Sequence, residues 1–303
     1  MTEDLNALPV DHRDQWLTSG LTQDLQRVSE VLGGRNVLLY ASGFLQKQNV
    51  PSPSVSITHE DVNGFMSTIY GMDRTKGLTL ILHTPGGVTN ATESIVSYLR
   101  QVYDSVDVIV PAFAMSAGTM ISLASDSITM AKHGQLGPID PQMPMTAGRM
   151  APARAIVDQF NNSLNQIANN PMLAHAWAPI NAQLGPSLIR EAQDAIDYSE
   201  EIVADWLEKY MFMGKPDARQ QGKAVARHFN DSSLHKSHGR RIGFNEASQQ
   251  GIVVKKLEDS PDLQDAVLTA YHRMTICFEQ TPITKFIWSS HGTAWIKNWN
   301  GQQ

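Results

Sequence analysis

Two short apolar runs, each emptying into a glycine-bearing turn that opens a helical pattern, constrain this chain more than any other feature. Leu78 to Leu82 ends in His83-Thr84-Pro85-Gly86-Gly87. Val106 to Val110 ends in Pro111-Ala112-Phe113-Ala114-Met115-Ser116-Ala117-Gly118. Unbroken β-branched runs followed by helical periodicity predict parallel strands buried on both faces and joined by βαβ crossovers. In such sheets chemistry gathers where loops leave the carboxyl ends of the strands. Gly86, Gly87 and Ser116 are therefore expected to lie near one another.

Composition narrows the classes. The chain has 303 residues, 42% hydrophobic and 18% charged, ordinary for a globular protein. Its formal net charge of −6 argues against a nucleic-acid binder, which usually carries a basic face. One cysteine, Cys277, excludes an intrachain disulfide framework and fits a reducing compartment. No apolar run approaches the roughly 18 to 20 residues that span a bilayer, and the acidic N-terminus lacks the order of a signal peptide, so a cytoplasmic location is expected.

Taken in order, residues from Leu5 to about Leu32 read as peripheral helix, stopped by Gly33-Gly34. Val37 to Tyr40 is a first strand and residues 41–56 a long irregular connection. The next helix is expected to be capped by Thr58, with Phe65, Ile69 and Tyr70 on its core face. Thr89 is the expected cap of a helix with an apolar stripe at Ile95, Val96 and Leu99. Ala117 to Ala124 is a helix of small residues and Ser127 to Ala131 a third strand. Gly137 to Gln142 is irregular because its two prolines remove donors. Helices are expected over 154–167, 186–213, 217–229, 245–250 and 262–278, with a last strand at 252–254. The tail to Gln303 carries Trp288, Trp295 and Trp299, expected to pack in a core or interface.

Ser116, just past a strand-to-helix turn among small neighbours, suits attack on a carbonyl, with Gly86 or Gly87 N–H groups receiving the oxyanion. The plainer reading is a helix N-cap serine beside a turn glycine. A serine nucleophile needs a base. Lys132, His133, His235, Lys236 and His238 are the candidates, with Asp140 as an orienting carboxylate or, more plainly, a turn-forming Asx residue. His235 and His238 have i, i+3 spacing but no third metal-ligand pattern, so no metal is expected. No G-x-G-x-x-G follows a strand and no lysine motif suggests pyridoxal phosphate, so no cofactor is expected either.

At the level of motifs, GRNVLLYASGFLQK (34–47), LILHTPGG (80–87), ESIVSYLR (93–100), AMSAGTMI (114–121), GPIDPQ (137–142) and SHGRRI (237–242) are similar to the Clp/crotonase superfamily. They resemble more closely the SDH (serine dehydrogenase proteinase) family of Clp-fold serine proteinases, relatives of the signal-peptide-peptidase-A-like peptidases. The resemblance runs from about Gly34 to Thr281. It implies an α/β fold, a spiral of ββα units with a largely parallel sheet and additional C-terminal helices. The implied division is an N-terminal helical segment (1–33), a catalytic domain (34–259) with a helical insertion at about 154–229, and a C-terminal helix and tail (260–303). Also implied are a Ser116 nucleophile, an oxyanion hole from Gly86 or Gly87 with Ala117, endopeptidase action on peptides or unfolded protein segments, and homo-oligomer formation.

The base departs from the relatives' patterns. Peptidases of the signal-peptide-peptidase-A type use a lysine soon after the GPIDPQ-like segment, but residues 147–166 hold Arg149 and Arg154 and no lysine. The Clp triad places a histidine near Asp140 and an acid near His238. The types are exchanged here, which suggests a permuted triad Ser116–His238–Asp140, with Ser116–Lys236 and Ser116–Lys132 dyads as competitors. Other classes stay open: a crotonase-type acyl-CoA enzyme using the same oxyanion hole, and a catalytically silent assembly scaffold.

Overall fold

The computed structural model describes residues 10–145, 148–185 and 187–299. A seven-stranded sheet organises the chain. Its parallel part is β1 (Asn36–Ser42), β2 (Leu78–His83), β3 (Val106–Val110), β5 (Ser127–Met130) and β9 (Val254–Lys256), side by side in that order. Two short strands, β4 (Phe113–Ala114) and β6 (Gln135–Leu136), pair in parallel as a second small layer. Single bridges extend that layer, Thr84 to Ala114 on one side and Leu136 to Ile242 on the other. β2 continues into the Thr84 bridge, and β3 and β5 into the short strands β4 and β6; after β2 and β3 the chain then turns into a helix, the expected ββα plan.

The strand runs are unbroken because both faces of the sheet are covered. On one face Leu38, Tyr40, Leu80, Leu82, Val108 and Val110 pack under α2 (Glu60–Thr68), α3 (Thr89–Val102) and α4 (Ala117–Leu123). Alternate residues Val37, Leu39, Ile81 and Ile109 face the other way, toward α1 (Val10–Val31) and α11 (Pro261–Gln280). Complete burial of such side chains stabilises by about 1.5–3 kcal/mol each. The first helix is therefore not peripheral from Leu17 to Val28, where Leu17, Leu21, Leu25 and Val28 are buried against α11. Residues 5–9 of the expected helix lie outside the described residues.

The remaining helices stand on the α4 side. A hairpin of β7 (Gln142–Pro144) and β8 (Met150–Pro152) leads into α5 (Ala153–Asn169), then α6 (Ala174–Asn181), α7 (Leu188–Lys209) and α8 (Ala218–Asn230). Short α9 (Ser232–His235) and α10 (Phe244–Gln249) follow. Among the described residues no helix is long and apolar enough to cross a membrane.

Several local expectations need correction. The tail is a hairpin, β10 (Ile283–Ser289) and β11 (Ala294–Asn298), and β10 lies antiparallel against β1. Its residues Thr284, Lys285 and Ser289 are all buried, so no polar-apolar alternation marks it as a strand. The last parallel strand begins at Val254, two residues later than its apolar run predicts. Thr89 does not cap α3, where Val88 holds the cap position without a side-chain bond. Thr58 does not cap α2; Asp61 reaches back and accepts from the Thr58 N–H at 3.0 Å. Tyr70 is exposed, because the helix ends before it and Gly71 turns the chain at positive φ.

Asp61 belongs to a buried polar knot. Lys285 Nζ lies 2.6 Å from Asp61 Oδ1 and donates to the Ser56 carbonyl at 2.8 Å, while Tyr40 donates to Asp61 Oδ2 at 2.8 Å. Burial holds the Lys285 ammonium below its usual range and pushes the Tyr40 phenol well up. The knot ties the C-terminal hairpin to residues 56–61. Lys285→Met strands the Asp61 carboxylate in the interior and is expected to lower stability by about 3–5 kcal/mol, measured by urea unfolding.

Candidate active site

Pairing of β2 with β3 sets the two glycine-bearing turns beside each other. Thr84 N donates to the Phe113 carbonyl and Met115 N to the Thr84 carbonyl, so the chains stay in register beyond the strands. Gly86 then passes against Ser116. Its φ is +106°, and a Cβ placed there would lie 2.7 Å from Ser116 Cβ and 2.8 Å from the Met115 carbonyl. Gly87 is equally constrained, since a Cβ would run into the Ile57 backbone, which pairs with this loop on its other side.

Ser116 is at the N-cap position of α4 but makes no side-chain capping bond. Its backbone has φ 50° and ψ −114°, a conformation that costs on the order of 1–3 kcal/mol for a residue with a side chain. The capping reading is therefore set aside: the hydroxyl is directed elsewhere, on a strained turn. Thr119, one turn on, braces it. Its hydroxyl donates to the Ala114 carbonyl at 2.7 Å and accepts from Gly137 N at 2.9 Å, joining the Ser116 turn to the 137–142 segment.

That segment carries Asp140, only 2% exposed. Its carboxylate does not form an Asx turn. Oδ1 lies 2.7 Å from His238 Nδ1, and Oδ2 accepts from Gln142 Nε2 at 2.7 Å. The carboxylate makes His238 Nδ1 the donor, which leaves Nε2 as a base in the neutral ring. Two backbone ties hold the partners in place. Leu136 and Ile242 exchange N–H···O bonds at 2.9 Å each, and Ile139 N donates to the Phe229 carbonyl at 2.8 Å.

Ser116, Gly86, Gly87, Asp140 and His238 all line one open cleft of about 780 Å³. Phe44, Val55, Met120, Ile139 and Met143 give it apolar walls. Two N–H groups near Ser116 have no acceptor among the described residues, those of Gly87 and Ala117. The Gly86 N–H donates to Thr84 Oγ1 at 3.1 Å and is already used.

The other sequence candidates lie elsewhere. Lys236 is exposed, at a left-handed position (φ 64°), and does not line the cleft. Lys132 and His133 are exposed on the turn after β5, and Lys132 borders a separate cleft with Arg241 and Glu258. His235 is buried and points away, its Nε2 on the His228 carbonyl. His235 and His238 thus engage different partners.

Pattern reading passed over three cleft residues. Gln142 fixes Asp140. Lys47, from the long loop after β1, donates to the Thr281 carbonyl at 2.8 Å. Tyr198 of α7 bonds Glu93 of α3, and burial with that carboxylate pushes its phenol up to about 12. Gln142 stands two residues after Asp140 inside the GPIDPQ motif, whereas nothing in the spacing of Lys47 and Tyr198 announces them, because they come from elements far apart in sequence.

Residues 53–177 match the ClpP-like SDH-type serine proteinases. This is the family to which the motifs pointed, and the SDH-type match takes in both glycine turns, Ser116 and Asp140, while His238 lies beyond it. Two uncharacterised proteins of Methanocaldococcus jannaschii are also similar. MJ0137 is 42% identical over 87 residues, which is 29% of this chain and 30% of that protein. MJ1495 is 32% identical over 117 residues, 39% of this chain and 38% of that protein. The chain therefore spans about a third of the length of the curated relatives it matches. Among solved structures, a membrane-bound stomatin-specific protease bound to a substrate peptide is similar at 22% identity, with 70% of this chain and 75% of that one covered and a TM-score of 0.41. ClpP1 from Listeria monocytogenes is similar at 14% identity, with 78% and 99% covered and a TM-score of 0.39.

Directly before the glycine turn, His83 is completely buried, its ring among Phe44, Phe113 and Tyr271 and both nitrogens without partners among the described residues. Burial pulls its pKa down to about 4 from an ordinary 6.5. Between those values the unfolded chain binds a proton that the folded chain refuses, so this residue removes stability as pH falls through that window. His83→Phe is expected to gain on the wild type by about 3 kcal/mol between pH 7 and pH 4, read as the change in the difference of their urea unfolding free energies.

Proposed function

We propose that this protein is a serine peptidase that cleaves peptide bonds through an acyl-enzyme on Ser116. The observation that carries the proposal is the 2.7 Å bond from His238 Nδ1 to the buried Asp140, in the cleft that holds the strained Ser116.

The roles follow from donors and acceptors. Ser116 Oγ attacks the scissile carbonyl while His238 Nε2 takes its proton. Asp140 keeps the ring in the tautomer that leaves Nε2 free, and it stabilises the imidazolium that forms. The carbonyl oxygen, now an oxyanion, receives the N–H groups of Gly87 and Ala117; Gly86 serves by letting the loop approach Ser116 closely. The imidazolium then protonates the leaving amine, and water repeats the sequence to release the acid. His238 is favoured over Lys236 and Lys132 because neither lysine lines the cleft.

The cleft's apolar walls and its opening to solvent suit side chains of an extended peptide, so the proposed substrates are peptides or unfolded protein segments, cut internally. A peptide blocked at both termini is the substrate that separates endopeptidase from exopeptidase action. We extend the proposal to homo-oligomers in the cytoplasm; α6 buries none of its residues within this chain.

A fluorophosphonate probe is expected to label the wild type and leave Ser116→Ala unlabelled. Equal labelling of the two proteins overturns the nucleophile. Asp140→Asn keeps the shape but reverses the favoured His238 tautomer, and peptide hydrolysis is expected to fall about 10³-fold or more in kcat.

A further inference from the structure

The turn that carries His238 is held by a second histidine whose hydrogen bonds admit one protonation state. His235, at the end of α9, is 2% exposed. Its Nε2 lies 2.7 Å from the His228 carbonyl, which can only accept, so Nε2 bears a hydrogen. Its Nδ1 lies 2.8 Å from Arg240 Nη1, a group that can only donate, so Nδ1 must present its lone pair. Only the neutral imidazole protonated at Nε2 satisfies both.

These bonds close the loop at its two ends. His235 precedes His238 by three residues and Arg240 follows it by two. Between them Lys236 takes the left-handed conformation at φ 64°, and Arg240 N donates to the Ser237 carbonyl at 3.0 Å. Ser116 and Lys236 are the two non-glycine positions of positive φ among the described residues. The strained turn around His238 is therefore pinned from within by His235 and Arg240.

We propose that His235 and Arg240 are positioning residues for His238, and that protonation of His235 releases the turn and so withdraws the base from Asp140. This rests on the peptidase reading above for its effect on catalysis, but not for its effect on the turn. A proton on Nδ1 would set an N–H against the guanidinium N–H, replacing a bond by a repulsion inside a buried site.

The surrounding charges bear on that proton. Arg240 Nη1 also donates to Glu246 Oε1 of α10 at 2.6 Å. His228 of α8 lies 3.4 Å from the same oxygen, with its ring 5.2 Å from that of His235. Burial and His235 together hold the His228 imidazole below its usual range. Asp231 spends its carboxylate on the N–H groups of Ser233 and Leu234. From α5, which also packs on α9, Arg154 turns to Glu200 of α7 and Asp158 is exposed. Among the described residues Glu246 is thus the one anion in contact with the cluster, and Arg240 and His228 already share it.

Amide hydrogen exchange reads the turn directly. The N–H groups of His235, Lys236, Arg240 and Ile242 all donate to backbone carbonyls. After correction for intrinsic rates, their protection in the wild type is expected to fall about tenfold or more from pH 7.5 to pH 5. His235→Gln offers an amide N–H to the His228 carbonyl and an amide oxygen to Arg240, without titrating. Its protection is expected to change less than about twofold over the same range. Arg240→Met, lacking the donor, is expected to show the open turn at both pH values.

Fluorophosphonate labelling in the same samples, normalised to each protein's own plateau, is expected to have an acid limb steeper than one proton in the wild type. In His235→Gln it should be first order. Wild-type protection that is equal at both pH values overturns the proposal, as does an equal loss in His235→Gln. Absence of labelling in every sample counts against the peptidase reading alone, because the exchange result stands without it.

Discussion

The parallel pairing of β2 with β3 is the contact on which the site depends. It continues past the strands through Thr84 and Met115, so both glycine turns leave the sheet at one level. Gly86 can then lie against Ser116, an approach that any Cβ on residue 86 would block. Gly87 and Ser116 thus come from separate crossover units, and their relative position is fixed by ladder bonds rather than by side-chain contacts. Backbone pairing in a sheet covered on both faces is rigid, which suits donors that must be in place before charge develops.

Histidine and carboxylate reach the same cleft by a less local route. Asp140 follows β6, and His238 arrives after the long helical excursion of α5 to α9. The short Leu136–Ile242 pairing brings the two segments together, and Thr119 ties the first of them to the serine turn. Strain is concentrated at both ends of this assembly, at Ser116 and at Lys236. Strained backbone persists where the surroundings over-determine it, and here buried bonds from Thr119, His235 and Arg240 do so.

The same buried-polar logic recurs away from the cleft. Lys285, Asp61 and Tyr40 join the C-terminal hairpin to the chain that pairs with Gly86 and Gly87, so β10 supports the glycine turn. Ser56 and Ile57 are the intermediaries, the first bonded by Lys285 and the second paired with the glycine turn.

Much of this was written locally. Unbroken runs such as Leu78–Leu82 specify strands covered on both faces, glycine and proline mark the turns, and the small residues of 114–124 mark a helix that packs closely. Ser116, Asp140 and His238 could be singled out by residue type and motif. Their bond could not be read from spacing, because 98 positions separate Asp140 from His238. The β10–β11 hairpin also escaped, since Lys285 inside a strand looks polar until Asp61 is beside it. Sequence alone determined the elements and the chemical groups available. Tertiary structure decided which groups meet, because sheet order and long-range ladder bonds, unlike local periodicity, depend on residues that are distant along the chain.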